Sequence, residues 1–316
     1  MPPTRRRYLE RLGAAGGVAV ASALAGCGEN RAERESVTNV RVGSKPFAEQ
    51  RILGYLAYHR LRDVDGVQAV DEIGYGTSSE NWTATAAGVK DVYWEYTGTA
   101  WSRLPPRRAE RVTDPRRLYE RVAADARERG LRMAEPAPFS NEYVLVADRA
   151  WSDRTDVTTL SEFATHVADG RTSFGVAVNE DFYHRRDAWR GVLDHYGVSA
   201  GTQAELESGG FVVTSVGLTY ELVANGDASV ASGFATDPQL ERESLVVLDD
   251  DRTYFLPYQP SPTAHAQTVA ANPDVFDALA PVAASLDEAT MRRLNRRVLV
   301  DGEPPSAVAA SHLSGV

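Results

Sequence analysis

Apolar positions along the chain follow two alternating patterns. Short runs rich in β-branched and aromatic residues, at 40–43, 67–73, 91–94, 143–147, 174–178, 211–216, 229–234 and 246–248, read as strands. Between them apolar residues return at helical spacing. Phe47, Ile52, Leu53, Leu56 and Leu61 follow Pro46, and Trp82, Ala84 and Ala87 follow a Gly-rich cap. Asp114-Pro115 opens an amphipathic helix to Arg129, and further helices are expected over 159–168, 187–196, 218–224, 274–285, 287–298 and 305–313. Strands that alternate with helices predict an α/β protein with mostly parallel sheets. At 316 residues the chain has room for about two domains. Pro136-Ala137-Pro138 and Thr236-Asp237-Pro238 are the expected crossings between them. The first lobe would take 39–139 and 238–316, the second 140–237, making a clamshell with two hinge crossings and a ligand between the lobes.

The N-terminal pattern is different. Arg5, Arg6 and Arg7 precede Tyr8-Leu9, an uncharged run fills 13–26, and Leu24-Ala25-Gly26-Cys27 ends it. A charged start, a short apolar core and small residues before a break make a secretory signal over 1–27, and the paired arginines suggest the twin-arginine route. The run is too short to span a bilayer, which takes about 20 residues. Leu-Ala-Gly-Cys resembles a lipobox, so Cys27 is the expected lipidation site, with 28–38 as a polar tether. This predicts an extracytoplasmic protein held at the outer face of the cell membrane by a lipid on Cys27. Cys27 is also the chain's one cysteine, which excludes an intramolecular disulfide and a zinc site of two or more thiolates.

Composition narrows the partners. A net charge of -10 argues against nucleic acid, which needs a basic face. Lys45 and Lys90 are the only lysines among 34 basic residues, the rest being arginine. That bias, with abundant acidic residues, is consistent with a GC-rich, halophilic source.

Candidate chemistry is sparse. The chain has no Gly-x-Ser-x-Gly elbow, no P-loop, no Gly-x-Gly-x-x-Gly after a strand and no His-Glu-x-x-His. No metal or cofactor is expected, and Asp249-Asp250-Asp251 reads as a solvated turn. Residues 93–101 stand out, with four aromatic rings in nine residues around Tyr96-Thr97-Gly98-Thr99. Core packing is the ordinary use of such rings; a turn lined with hydroxyls that admits a small ligand is the alternative. A secreted α/β hydrolase or a binding protein for an anionic solute also remains open.

An ordered set of motifs decides between these. Gly43-Ser44-Lys45-Pro46-Phe47-Ala48-Glu49-Gln50 opens it, followed by Glu95 to Thr99, Asn141-Glu142-Tyr143 and Arg185-Arg186-Asp187. Gly217 to Leu222, Phe234-Ala235-Thr236-Asp237 and Phe255-Leu256-Pro257-Tyr258 complete it. Together they resemble the glycine betaine/carnitine/choline substrate-binding proteins of ABC importers, in order from Val40 to the C-terminus. The resemblance implies a two-lobe fold like the type II periplasmic binding proteins, no catalysis, a quaternary ammonium solute as ligand, and a membrane permease as partner of a monomeric receptor.

It also implies roles. Tyr96, Tyr143, Phe234 and Tyr258 would form an aromatic box around a trimethylammonium group, which offers no N–H and is held by ring faces at about 0.5–2 kcal/mol each. The family usually has Tyr where this chain has Phe234. Lys45, Thr99 and Arg185 would take the ligand carboxylate, Arg185 as a fork and Lys45 as a point charge. Asn141 would support, and the spacing of Asp181, four residues before Arg185, would let it orient Arg185 or face the cation if that turn is helical.

Overall fold

The computed structural model describes residues 37–315. The expected signal over 1–27, Cys27 and tether residues 28–36 lie outside the described residues.

Ten strands form two five-stranded sheets of the same plan. The first contains β1 (Thr38–Gly43), β2 (Val67–Glu72), β3 (Val92–Tyr96), β4 (Leu131–Met133) and β10 (Pro260–His265), in the order β2-β1-β3-β10-β4. The second contains β5 (Tyr143–Asp148), β6 (Val176–Asn179), β7 (Phe211–Thr214), β8 (Val230–Phe234) and β9 (Leu245–Leu248), in the order β7-β6-β8-β5-β9. The two-lobe α/β architecture is therefore as expected, but the sheets are mixed rather than mostly parallel. β1 runs parallel to β2 and β3, and β6 to β7 and β8, whereas β10 and β5 run antiparallel to both neighbours. The reversed strand in each sheet is the one the chain enters directly from a crossing, with no crossover helix to turn it round.

Side chains of each sheet are buried on both faces, which is why the strands read as apolar runs. In the first lobe Val40, Val42, Val92 and Trp94 meet Ile52, Leu53 and Leu56 of helix Ala48–Leu61. Tyr93, one residue out of phase, joins Trp82 and Leu118 on the opposite face. In the second lobe Leu145, Val176 and Val178 pack with Phe182 and Trp189, while Val146, Ala177 and Ala231 pack with Tyr220. Each fully buried Val, Leu, Ile or Phe among them contributes about 1.5–3 kcal/mol by leaving water.

β10 is invisible to pattern reading because Pro260 and Pro262 lack the N–H groups a central strand needs. Side chains replace them. The Ala134 carbonyl accepts from Ser261 Oγ at 2.6 Å, and the Ala137 carbonyl accepts from Gln259 Nε2 at 3.3 Å. The proline carbonyls still accept from the Ala134 and Ala137 amides, each at 2.9 Å.

The second crossing differs from its expected place. After Thr236-Asp237-Pro238 the chain stays with the second sheet, since β9 pairs with β5 through Leu245 to Leu248, and Tyr254 and Phe255 join that lobe's core. It returns over 256–259, beside the first crossing. The Asn141 amide donates to the Tyr258 carbonyl at 3.0 Å, and the Tyr258 amide to Ser140 Oγ at 2.9 Å. A lone Pro after Asp marks a turn, and here it opens a 3₁₀ segment, Pro238–Glu241, rather than a hinge. The lobes also touch away from the crossings. Arg292 Nη2 donates to the Ala235 carbonyl at 2.7 Å, and Arg111 Nη2 to the Thr253 carbonyl at 2.8 Å.

Candidate functional site

The residues singled out by sequence collect where β1, β3, β6 and β8 end. Ligands of open α/β sheets sit beyond the carboxyl ends of the strands, because chain direction there leaves a crevice. Tyr96 is the last residue of β3 and Phe234 the last of β8. Lys45 lies two residues beyond β1, and Arg185 just past the helical turn Glu180–His184 that follows β6.

Three of the four expected box rings meet. Tyr143 and Phe234 are direct cross-strand partners on β5 and β8, with ring centroids 4.8 Å apart. Tyr258, from the returning crossing, stands edge-on to Tyr143 at 6.4 Å and 80°. Its ring lies against Gly98, where an added Cβ would fall 3.0 Å from two ring carbons and 2.8 Å from the Pro257 carbonyl. The Gly of Tyr-Thr-Gly-Thr is thus a close-approach glycine, and the stretch itself is the start of a short helix, Thr97–Ser102, rather than a free turn. Phe182 and Phe255 back the group, their centroids 4.9 and 6.4 Å from Tyr143. Tyr96 is the outlying ring: it packs in the cluster that includes Tyr258 and stacks on half-exposed Phe47 at 6.3 Å.

The chain's own cations occupy this aromatic surface. The Lys45 ammonium lies 4.6 Å from the Tyr96 centroid, and the Arg185 guanidinium lies 5.4 Å from Tyr143 and 5.9 Å from Tyr258. Each is tied to a carboxylate. Lys45 Nζ meets Glu95 Oε1 at 2.5 Å with both residues buried, and Glu95 also accepts from the Tyr93 hydroxyl and the Tyr96 amide. Burial pulls the Lys45 ammonium below its ordinary range, opposed by Glu95 and Glu49. The role expected for Lys45 changes accordingly: its charge is already matched inside the fold.

Arg185 grips Asp187 with Nε at 2.9 Å and Nη2 at 2.6 Å, and Nη2 also donates to the Tyr258 hydroxyl at 2.8 Å. Burial pulls the guanidinium down, but Asp187 outweighs it and holds it above its usual value. Nη1 has no partner among the described residues. Asp181 does not orient Arg185; Asp187 does. The helical turn ends at His184 and Arg185 is extended, φ −77° and ψ 134°, so the spacing of one helical turn does not bring the two side chains together. Asp181 is exposed and meets Arg185 through its backbone carbonyl. Half-buried Thr99 makes no side-chain hydrogen bond among the described residues, and is open to donate.

Several residues within the ordered motifs take roles that the sequence did not assign. Glu49, in the first turn of helix Ala48–Leu61, is 3 % exposed. Its Oε1 accepts from the Tyr96 hydroxyl at 2.7 Å and Asn141 Nδ2 at 3.0 Å, and its Oε2 from Asn295 Nδ2 at 2.9 Å. Gln50 is fully buried with Nε2 unpartnered among the described residues. Asp237 accepts from the Phe234 amide at 3.0 Å and the Tyr220 hydroxyl at 2.7 Å, fixing the turn that presents Phe234. The Tyr220 hydroxyl in turn fills the space over Gly233, where a Cβ would lie 1.7 Å away. Glu49, Gln50, Tyr220 and Asp237 all fall inside the ordered motifs, and that membership is the signal that pointed to them.

Burial pushes the Asp237 carboxyl up to about 6 from an ordinary 3.8, with its two hydrogen bonds opposing. A carboxyl raised in the fold holds its proton more tightly folded than unfolded. Its contribution to stability is therefore greatest below about pH 4 and falls as pH rises through 6, by at most about 3 kcal/mol. Thermal unfolding of wild type and Asp237→Asn from pH 4 to 7 should show the wild type losing ground against the variant across that interval. A constant difference would mean that Asp237 titrates normally.

Comparison with known proteins gives the same assignment from a separate direction. Residues 38–315 match the family described as the substrate binding domain of ABC-type glycine betaine transport system. A glycine-betaine-binding protein of Pseudomonas aeruginosa is 28% identical over 280 residues, covering 87% of this chain and 86% of that protein. A substrate-binding protein of a chemotactic signal transduction system, CosB of Halobacterium salinarum, is 29% identical over 282 residues, covering 87% and 83%. The solved structure of apo YehZ from Escherichia coli superimposes with a TM-score of 0.69 at 26% identity, covering 88% of this chain and 98% of that one. With its two like-built sheets and the family match over nearly all described residues, the chain belongs to the substrate-binding domains of ABC-type glycine betaine transport systems.

Proposed function

We propose that this protein captures a quaternary ammonium solute, glycine betaine or a close relative, between its lobes and passes it to an ABC permease. The observation that carries the ligand reading is the meeting of Tyr143, Phe234 and Tyr258 with the Arg185 guanidinium at one place. Rings that already face a guanidinium are suited to a trimethylammonium group. When the ligand enters, its cation takes the ring faces and its carboxylate takes Arg185 through the unpartnered Nη1, with Thr99 adding a hydroxyl. Arg185 belongs to the second lobe and Thr99 to the first, so both reach one ligand when the lobes close. Tyr96 completes the box from the first lobe, and Asn141 supports it through Glu49. Lys45 acts from behind as the counter-ion of Glu95.

In the same reading residues 1–27 direct export and Cys27 carries the lipid that holds a monomeric receptor at the outer membrane face. One relative is named for chemotactic signal transduction, which makes a transducer the second candidate partner. Calorimetric titration with glycine betaine, proline betaine, carnitine and choline tests the ligand class. Micromolar binding, about -8 kcal/mol, is expected for at least one; heat from none removes the assignment.

A further inference from the structure

The carboxylate of Glu49, beside the Tyr96 ring, forms no salt bridge among the described residues. Lys45 is matched by Glu95 and Arg185 by Asp187. Glu49 is buried and accepts only from neutral donors: the Tyr96 hydroxyl, Asn141 and Asn295, with the Thr236 hydroxyl also facing it. These donors come from β3, the first crossing, helix Glu288–Leu299 and the turn after β8, so the carboxylate is held from every side. Its position in the first turn of helix Ala48–Leu61 favours a negative charge. Burial holds its proton affinity above the ordinary carboxyl range, with the four donors opposing.

The Tyr96 hydroxyl has a distinct electronic setting. A phenol that donates to a buried carboxylate gains electron density on its ring, which deepens the negative face that attracts cations. Tyr258 has the opposite setting, since its oxygen accepts from the Arg185 guanidinium. The Lys45 ammonium 4.6 Å from the Tyr96 centroid shows a cation at that ring already, with its own charge answered by Glu95.

We propose that Glu49 makes the site prefer a cationic ligand to a neutral one of the same shape, acting through the Tyr96 ring. Glu49 is then a positioning and tuning residue that never touches the ligand. This rests on the reading that Tyr96 faces the ligand's ammonium group.

The test compares charged ligands with uncharged-headed isosteres. Glycine betaine and choline are each titrated beside the analogue in which carbon replaces the quaternary nitrogen, tert-butylacetate for betaine and 3,3-dimethylbutan-1-ol for choline. Shape and the other end of the ligand are then constant, so the ratio of affinities within a pair reads the cation term alone. Glu49→Gln keeps the shape of the carboxyl and removes its charge, and should lower that ratio about tenfold. Tyr96→Phe, which keeps the ring and removes the coupling, should lower it similarly, and the double variant no further. Equal loss for both members of a pair, leaving the ratio unchanged, would reduce Glu49 to a structural role and overturn the proposal. If Glu49→Gln does not fold, Tyr96→Phe decides by the same ratio. Wild-type protein that binds no quaternary ammonium removes the ligand reading as well, whereas binding with an unchanged ratio in the variants removes only this inference.

Discussion

Replacing Lys45 by Met should cost the fold about 3–5 kcal/mol, and adding Glu95→Gln should return most of it. The pair is buried at 5 % and 0 % exposure with 2.5 Å between its charged atoms. Taking away the ammonium leaves Glu95 charged in a dry site, with only the Tyr93 hydroxyl and the Tyr96 amide to stabilise it. Breaking a buried pair is costly for that reason, while replacing both members is often nearly neutral. Denaturant unfolding of the two single variants and the double gives the coupling directly. A single variant within about 1 kcal/mol of wild type would show that water reaches the pair. The same geometry accounts for the lysine. An ammonium fits between one carboxylate oxygen and a ring face, where a planar guanidinium with five donors would bring hydrogen-bonding demands this pocket does not meet.

The second large effect concerns the ligand. Arg185→Ala should weaken glycine betaine about a hundredfold and choline much less, measured by calorimetry on the same preparations. Truncating one partner of a buried, hydrogen-bonded charge pair costs about 2–5 kcal/mol, and only betaine has a carboxylate to lose it. The change also removes the guanidinium from the faces of Tyr143 and Tyr258, so part of the choline loss is offset by freed ring surface. Equal losses for the two ligands would mean that Arg185 supports the walls of the site and does not receive the carboxylate.

The fold was legible where burial on both faces forced continuous apolar strands, as at β3, β5, β6 and β8. It was illegible at β10, because the prolines that disguise the strand are compensated by Ser261 and Gln259 side chains, and no spacing rule reports such substitutions. The return of the chain to the first lobe was misplaced for a related reason. β9 is short, follows a Pro turn and pairs with a strand nearly a hundred residues earlier, which only the register shows. At the site, ring types and Arg185 were visible through motif order. The carboxylates Glu49, Glu95, Asp187 and Asp237 stand in the same motifs, but nothing in their spacing marks their partners. Glu49 and Glu95 acquire their meaning from Tyr96 and Lys45, which lie 47 and 50 residues away along the chain. Asp187 replaced Asp181 because the helical turn stops one residue too early for the expected pairing.

Both lysines of the chain are buried, Lys45 against Glu95 and Lys90 against Asn81 Oδ1 at 2.7 Å. No lysine side chain on the folded domain is therefore open to acylation, glycation or carbonyl condensation, although its arginines are plentiful. Lys45 sits behind the residues proposed to meet the ligand, so its reactivity toward an acylating reagent follows the opening of that region, and no other side-chain amine among the described residues is exposed.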